Sequence, residues 1–262
     1  MEEVDPVVGY RVDTDDVPTI DTEDPIAVAA VDAIHHGDVA SLTRLLAENP
    51  GLATARLGDD GPDGMSRTLL HVATDWPGRF PHGAATVAAL VEAGADVNAR
   101  FRGPHEETPL HWAASSDDVE VLDALLDAGA DIEAPGAVIG GGTPLADARA
   151  FRQWAAARRL VQRGAKTTLV DAATLGLMDR LTGYFVGPMP PPTQAEIDRA
   201  FWGACHGGQH RAAEYLLNRG AEVNWVPPWE DRTPLDAARR SEVGELVHWL
   251  RSRGAKTASE LI

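Results

Sequence analysis

The chain has 262 residues, 44% of them hydrophobic, which is enough apolar material for a continuous core. Its 40 acidic residues outnumber 23 basic ones and leave a formal net charge of −17, which argues against nucleic acid and anionic membranes as partners because both require basic surfaces. A single cysteine, Cys205, excludes an internal disulfide and any cysteine-based zinc site, and no apolar run approaches membrane-spanning length, so a cytoplasmic protein is the expectation.

Residues 1–24 carry Glu2, Glu3, Asp5, Asp13, Asp15, Asp16, Asp21, Glu23 and Asp24 against one base, Arg11. They read as a disordered acidic leader without the basic start of a signal peptide. A repeating pattern begins at residue 25. In the first unit, 25–57, Ala29, Ala30, Ala33 and Ile34 give one short helix, Gly37-Asp38-Val39 a turn, and Leu42, Leu45 and Leu46 a second helix. The second unit, 67–99, starts at Thr68-Leu69-Leu70-His71 and ends at Gly94-Ala95-Asp96-Val97-Asn98. Its prolines within Trp76 to Gly83 forbid helix and predict a protruding inter-helix loop.

The third unit, 107–134, is the fullest. Thr108 suits an N-cap and Pro109 the first helical position, and Leu110, Ala113 and Ala114 supply a small packing face. Val119, Leu122, Leu125 and Leu126 supply the second helix, and Gly129 ends it. The fourth unit, 142–166, repeats Thr143-Pro144-Leu145. The fifth, 167–186, is atypical, with Leu169, Met178, Leu181, Tyr184 and Phe185. The sixth, 195–224, puts Phe201 in the leucine position, and the seventh, 232–256, returns to Thr233-Pro234-Leu235.

One such unit cannot bury its own apolar face, so stacking is required. This pattern resembles the ankyrin repeat. The fold class expected is therefore all-α, an ankyrin-repeat solenoid of about seven helix–turn–helix repeats with short β-hairpin fingers, forming one array over 25–262. Leu70, Leu110, Leu145, Leu169, Phe201 and Leu235 lie 40, 35, 24, 32 and 34 residues apart and should be rungs of one ladder. The short interval leaves no room for a finger between Gly164 and Leu169. In the next junction Gly187 to Pro192 reads as an extended polyproline-like connection, so the surface should break between the third and sixth units.

The resemblance implies binding on the concave face, made by the fingers and the inner helices. Apolar and charged residues at finger positions are the candidates: Phe101, Arg102 and His105 in one finger, Ile139 in another, Trp225, Trp229 and Glu230 in the last. The same side chains could instead fold back on their neighbours. On the inner helices Trp112, Asp147 and Asp171 would place an aromatic wall beside two carboxylates, suited to a cation, an Arg/Lys side chain or a small polar molecule.

His71 and His111 take the motif position that the resemblance makes a structural partner of Thr68 and Thr108. The remaining histidines fall mainly at turns, and Gly140-Gly141-Gly142 lacks the ending of a phosphate loop. No cofactor and no metal site is expected. The functional expectation is a non-catalytic scaffold recognising a protein partner. The alternative is a small-molecule-binding protein or an enzyme at the break between the third and sixth units. Basic residues are almost all Arg, with Lys only at 166 and 256, a hint of a GC-rich bacterial genome.

Overall fold

The computed structural model describes residues 17–59, 61, 64–186 and 190–261. Residues 1–16 of the expected leader and 187–189 of the expected polyproline-like connection lie outside them. Among the described residues fourteen α-helices pair in chain order. They are α1 (Pro25–His36) with α2 (Val39–Glu48), α3 (Leu69–Thr74) with α4 (Gly83–Glu92), α5 (Pro109–Ser115) with α6 (Val119–Asp127), and α7 (Pro144–Ala150) with α8 (Trp154–Gln162). The series continues with α9 (Leu169–Thr174) and α10 (Met178–Val186), α11 (Gln194–His206) and α12 (His210–Leu217), and α13 (Pro234–Arg240) and α14 (Gly244–Ser252).

Six of the seven inner helices begin alike because the same local chemistry starts each of them. Thr68, Thr108, Thr143, Thr168, Thr193 and Thr233 hold extended backbone at the N-cap, and proline occupies the first turn of α5, α7 and α13. Their small faces, Ala113 and Ala114, Ala172 and Ala173, Ala237 and Ala238, are buried against leucines of the outer helices such as Leu122, Leu125 and Leu160. Each fully buried leucine contributes about 1.5–3 kcal/mol relative to exposure. Between units, Asn98 accepts from the Asp131 amide at 2.8 Å and donates to the Gly129 carbonyl at 3.3 Å; Asn224 makes the equivalent bonds to Lys256 and Gly254.

The expected single spine divides in two. One buried cluster runs from Ala27 to Ala165 and takes in Leu175; the other runs from Leu169 to Ala255, and half-buried Leu177 packs on both. All six expected rungs are buried, but Leu70, Leu110 and Leu145 belong to the first cluster and Leu169, Phe201 and Leu235 to the second. The division falls where the finger between α8 and α9 is missing.

Where it meets α11, α9 approaches unusually closely. A Cβ on Gly207 would lie 1.9 Å from the Thr174 carbonyl oxygen, and one on Gly203 would lie 2.5 Å from the Thr174 hydroxyl. Glycines four residues apart remove the side chains that would hold the two backbones apart.

The fingers differ from expectation. A three-stranded sheet holds β1 (Thr19–Ile20), β2 (Arg56–Gly58) and β3 (Ser66–Thr68), with β1 parallel and β3 antiparallel to β2. Ser66 also bridges Arg102. Thr19 and Ile20, assigned to the leader, therefore form a strand, and Asp24 caps α1 by accepting from the Ile26 amide at 2.9 Å. Later fingers are turns among the described residues; that at 135–142 closes through Gly136 N–H to Gly141 O at 3.1 Å and Ala137 N–H to Gly142 O at 3.0 Å.

The loop expected to protrude between α3 and α4 lies across its neighbours instead. The Arg79 amide donates to Asp118 at 2.7 Å and Phe80 stacks on His35 at 4.5 Å, leaving Trp76 standing out, 79% exposed.

Candidate functional site

Histidine orders the finger side of the second and third units. The amide of Thr68 donates to Nδ1 of His71 at 3.3 Å, which leaves the ring proton on Nε2 to donate to the Glu107 carbonyl at 3.1 Å. His111 repeats this between Thr108, at 3.1 Å, and Gly142, at 3.3 Å. Each ring therefore ties its own cap to the next unit. Burial pushes the His71 pKa down to about 3 and that of His111 to about 4. Because the folded state holds these rings neutral, their stabilising contribution is present above the unfolded value near 6.5 and is lost as pH falls below it.

A His111→Gln variant, which can keep both hydrogen bonds, should lose about 2 kcal/mol less than the parent between pH 8 and pH 5 in urea unfolding. Equal losses in the two proteins would contradict this account.

His71 also packs edge-on against Trp112, with centroids 4.9 Å apart, and Trp112 lies 5.5 Å from Phe101. The half-buried Phe101 and Trp112 thus fold onto the histidine link. Of the other finger candidates here, Arg102 pairs its backbone with Ser66, His105 is exposed, and Ile139 is half-buried beside exposed Val138.

The expected open pair of acids, Asp147 with Asp171, is not formed. Asp147 is completely buried and faces Glu107, itself 8% exposed, which accepts a side-chain hydrogen bond from Trp112. Burial, then the Glu107 charge, raises the Asp147 carboxyl well above the usual carboxylate range, and burial raises Glu107. Neither oxygen of an ionised Asp147 has a well-aligned donor, whereas a proton held between the two carboxyls gives one oxygen of each a partner.

Asp171 stands at a different register from the one expected. Thr168 is the N-cap of α9, so Asp171 takes the place of His71 and His111: its Oδ2 accepts from the Thr168 amide at 2.8 Å. Its other oxygen lies 2.7 Å from Arg149 Nε in a nearly buried ion pair. Arg149 in turn offers its carbonyl to His206 Nε2 at 3.2 Å. Asp147 is thus held beside Glu107 between the third and fourth units, and Asp171 ties α9 to Arg149 of α7.

A second aromatic group gathers around α11 and the last finger. Trp202 stacks on His206 at 5.2 Å and donates from Nε1 to the Arg232 carbonyl at 3.0 Å. Trp229 lies 6.2 Å from Trp202 and 5.6 Å from Trp225, carries the Arg199 guanidinium 4.7 Å from its ring centre, and remains 51% exposed. Glu230 pairs with Arg232 and Arg240. Trp225, Trp229 and Glu230 of this group are among the residues expected from the sequence; Trp202 and Arg199 are not, although their helical spacing of three was a readable signal. Glu107 and Arg149 were missed as well, since their partners lie in other units.

The third feature is a cavity of about 990 Å³ among the first fingers, walled by Arg56, Arg100 and Arg102 together with Val17, Met65 and Phe101. Among the described residues no cluster of metal-ligating side chains is present, and no helix is long and apolar enough to cross a membrane.

Comparison with known proteins identifies the repeating unit. Residues 30–136 match the family model for ankyrin repeats (3 copies). The chain carries ankyrin repeats, and its fold is the ankyrin-repeat fold, continued by the same helix pairs to Ser252. It is similar to an ankyrin repeat and KH domain-containing protein of Caenorhabditis briggsae, 28% identical over 186 residues, which cover 68% of this chain and 7% of that one. It is also similar to the palmitoyltransferase AKR1 of Candida albicans, 40% identical over 77 residues, covering 28% of this chain and 8% of that one. The chain thus spans only a small part of the curated relatives it matches. The crystal structure of the human ASB11 ankyrin repeat domain aligns at 23% identity and a TM-score of 0.48, covering 87% of this chain and 84% of that one. Both curated relatives are eukaryotic, so these matches give no support to a bacterial source.

Proposed function

We propose that the chain is a non-catalytic binding scaffold that recognises a protein partner in the cytoplasm through the face made by its fingers and inner helices. Ankyrin repeats typically mediate protein–protein interaction, which supports the class. The observation that carries the reading is Trp229, half exposed in the last finger with Arg199 over its ring. Tryptophan and arginine are the residues most often dominant in binding energy, and an exposed indole costs free energy that a partner would recover. The buried carboxyls do not favour catalysis, because Asp147 is fully buried and cannot meet a substrate.

Combined Trp229→Ala and Arg199→Ala changes should abolish capture of the partner identified by crosslinking from the native host, while the melting temperature stays within about 2 °C of the parent. Undiminished capture by the double variant would refute the assignment of this face.

A further inference from the structure

The cavity among the first fingers runs against the charge of the whole protein. Arg56 is only 7% exposed, and it donates to neutral oxygens alone: Nε to Ser66 Oγ at 2.8 Å, Nη2 to Ser66 O at 2.9 Å and to Arg100 O at 2.6 Å. Arg100 donates to the Glu106 carbonyl at 3.0 Å and to the Pro135 carbonyl. Neither has a carboxylate partner among the described residues. Asp96 on the same wall has Oδ1 occupied by the Asn98 amide at 2.9 Å. Burial and the nearby Arg102 charge hold the Arg56 guanidinium below its ordinary pKa.

Buried charges are ordinarily neutralised by a partner of opposite sign, and the described residues supply none for Arg56. These bonds take up Nε and Nη2 of Arg56 and Nη1 of Arg100 and fix both guanidinium planes, so an arriving anion would meet the remaining N–H groups already oriented. Beside them Met65 is 57% exposed and Phe101 half-buried, which gives the wall an apolar side as well.

We propose that this cavity binds an acidic peptide segment of the partner protein, with a carboxylate held by Arg56 and Arg100 and aliphatic neighbours of that residue against Met65 and Phe101. The proposal rests on the protein-recognition reading above and adds the chemistry of the recognised segment. A volume of about 990 Å³ accommodates several residues, and a small inorganic anion would leave the apolar wall uncovered. Arginine suits a carboxylate better than lysine would, because its planar fork can bond both oxygens at once.

The probe is a fluorescein-labelled octapeptide of alternating Asp and Leu, compared with its Asn and Leu counterpart by fluorescence anisotropy on the full chain. The Asp peptide should bind at least about tenfold more tightly, and Arg100→Gln should erase that preference with an unchanged melting temperature. Arg56→Gln should do the same, but its bonds within the sheet make Arg100→Gln the deciding variant. Equal binding of both peptides, or a preference that survives Arg100→Gln, overturns the proposal. So does complete displacement of the Asp peptide by millimolar inorganic phosphate, which would assign the site to small anions. Partner capture that depends on Trp229 but is indifferent to Arg100→Gln would overturn this inference and leave the proposed function standing.

Discussion

Gly207→Ala should cost more than about 3 kcal/mol of folding stability, far above the cost of an ordinary surface change. The added methyl would lie 1.9 Å from the carbonyl oxygen of Thr174 and 2.9 Å from its carbon. These are backbone atoms at the end of α9, so no rotamer change relieves the clash and the helices must separate. Separation would uncover Ala172, Ala173, Ala204 and Cys205, all buried in the second core. Gly183→Ala is the control: nothing lies within 4 Å of its added methyl, and alanine in a helix interior is favoured over glycine by about 1 kcal/mol. Urea unfolding followed by far-UV circular dichroism should place the two midpoints on opposite sides of the parent. Coincidence of the Gly207→Ala midpoint with the parent would mean that α9 and α11 do not meet as described.

That contact shows what could and could not be read in advance. The helix pairs were legible because each is written locally: threonine caps the helix, proline follows, alanines face leucines, and glycine ends the second helix. A ladder aligned on leucines puts the fifth unit one residue out of register. Alignment on N-caps would have put Thr168 with Thr108, and so Asp171 with His111. Asp147, like Trp112, follows the motif-histidine position that the resemblance turns to the concave face, but its partner Glu107 precedes the cap of the previous inner helix. A single unit does not reveal that juxtaposition. The basic cavity was hidden differently: a net charge of −17 averages over the chain and says nothing about three arginines folded onto one wall.

The buried carboxyl pair leads to an expected gain of stability. At pH 7 the unfolded chain releases the Asp147 proton, since a free Asp side chain titrates near 3.9, whereas the folded pair retains one proton. The raised folded-state pKa therefore works against folding as pH climbs above the unfolded value, by about 1.4 kcal/mol for each pH unit until the folded group also ionises. Asp147→Asn removes that dependence while its amide can donate to an ionised Glu107. The variant should be more stable than the parent by about 1–3 kcal/mol at pH 7, and the advantage should shrink towards zero as pH approaches 4. The histidine contribution runs the other way, lost on acidification, and is common to both proteins, so the difference between their urea midpoints isolates the carboxyl pair. A difference that stays constant from pH 4 to pH 8 would show that Asp147 ionises normally. Its complete burial would then need a cationic partner, and Arg149, the nearest candidate, is already committed to Asp171.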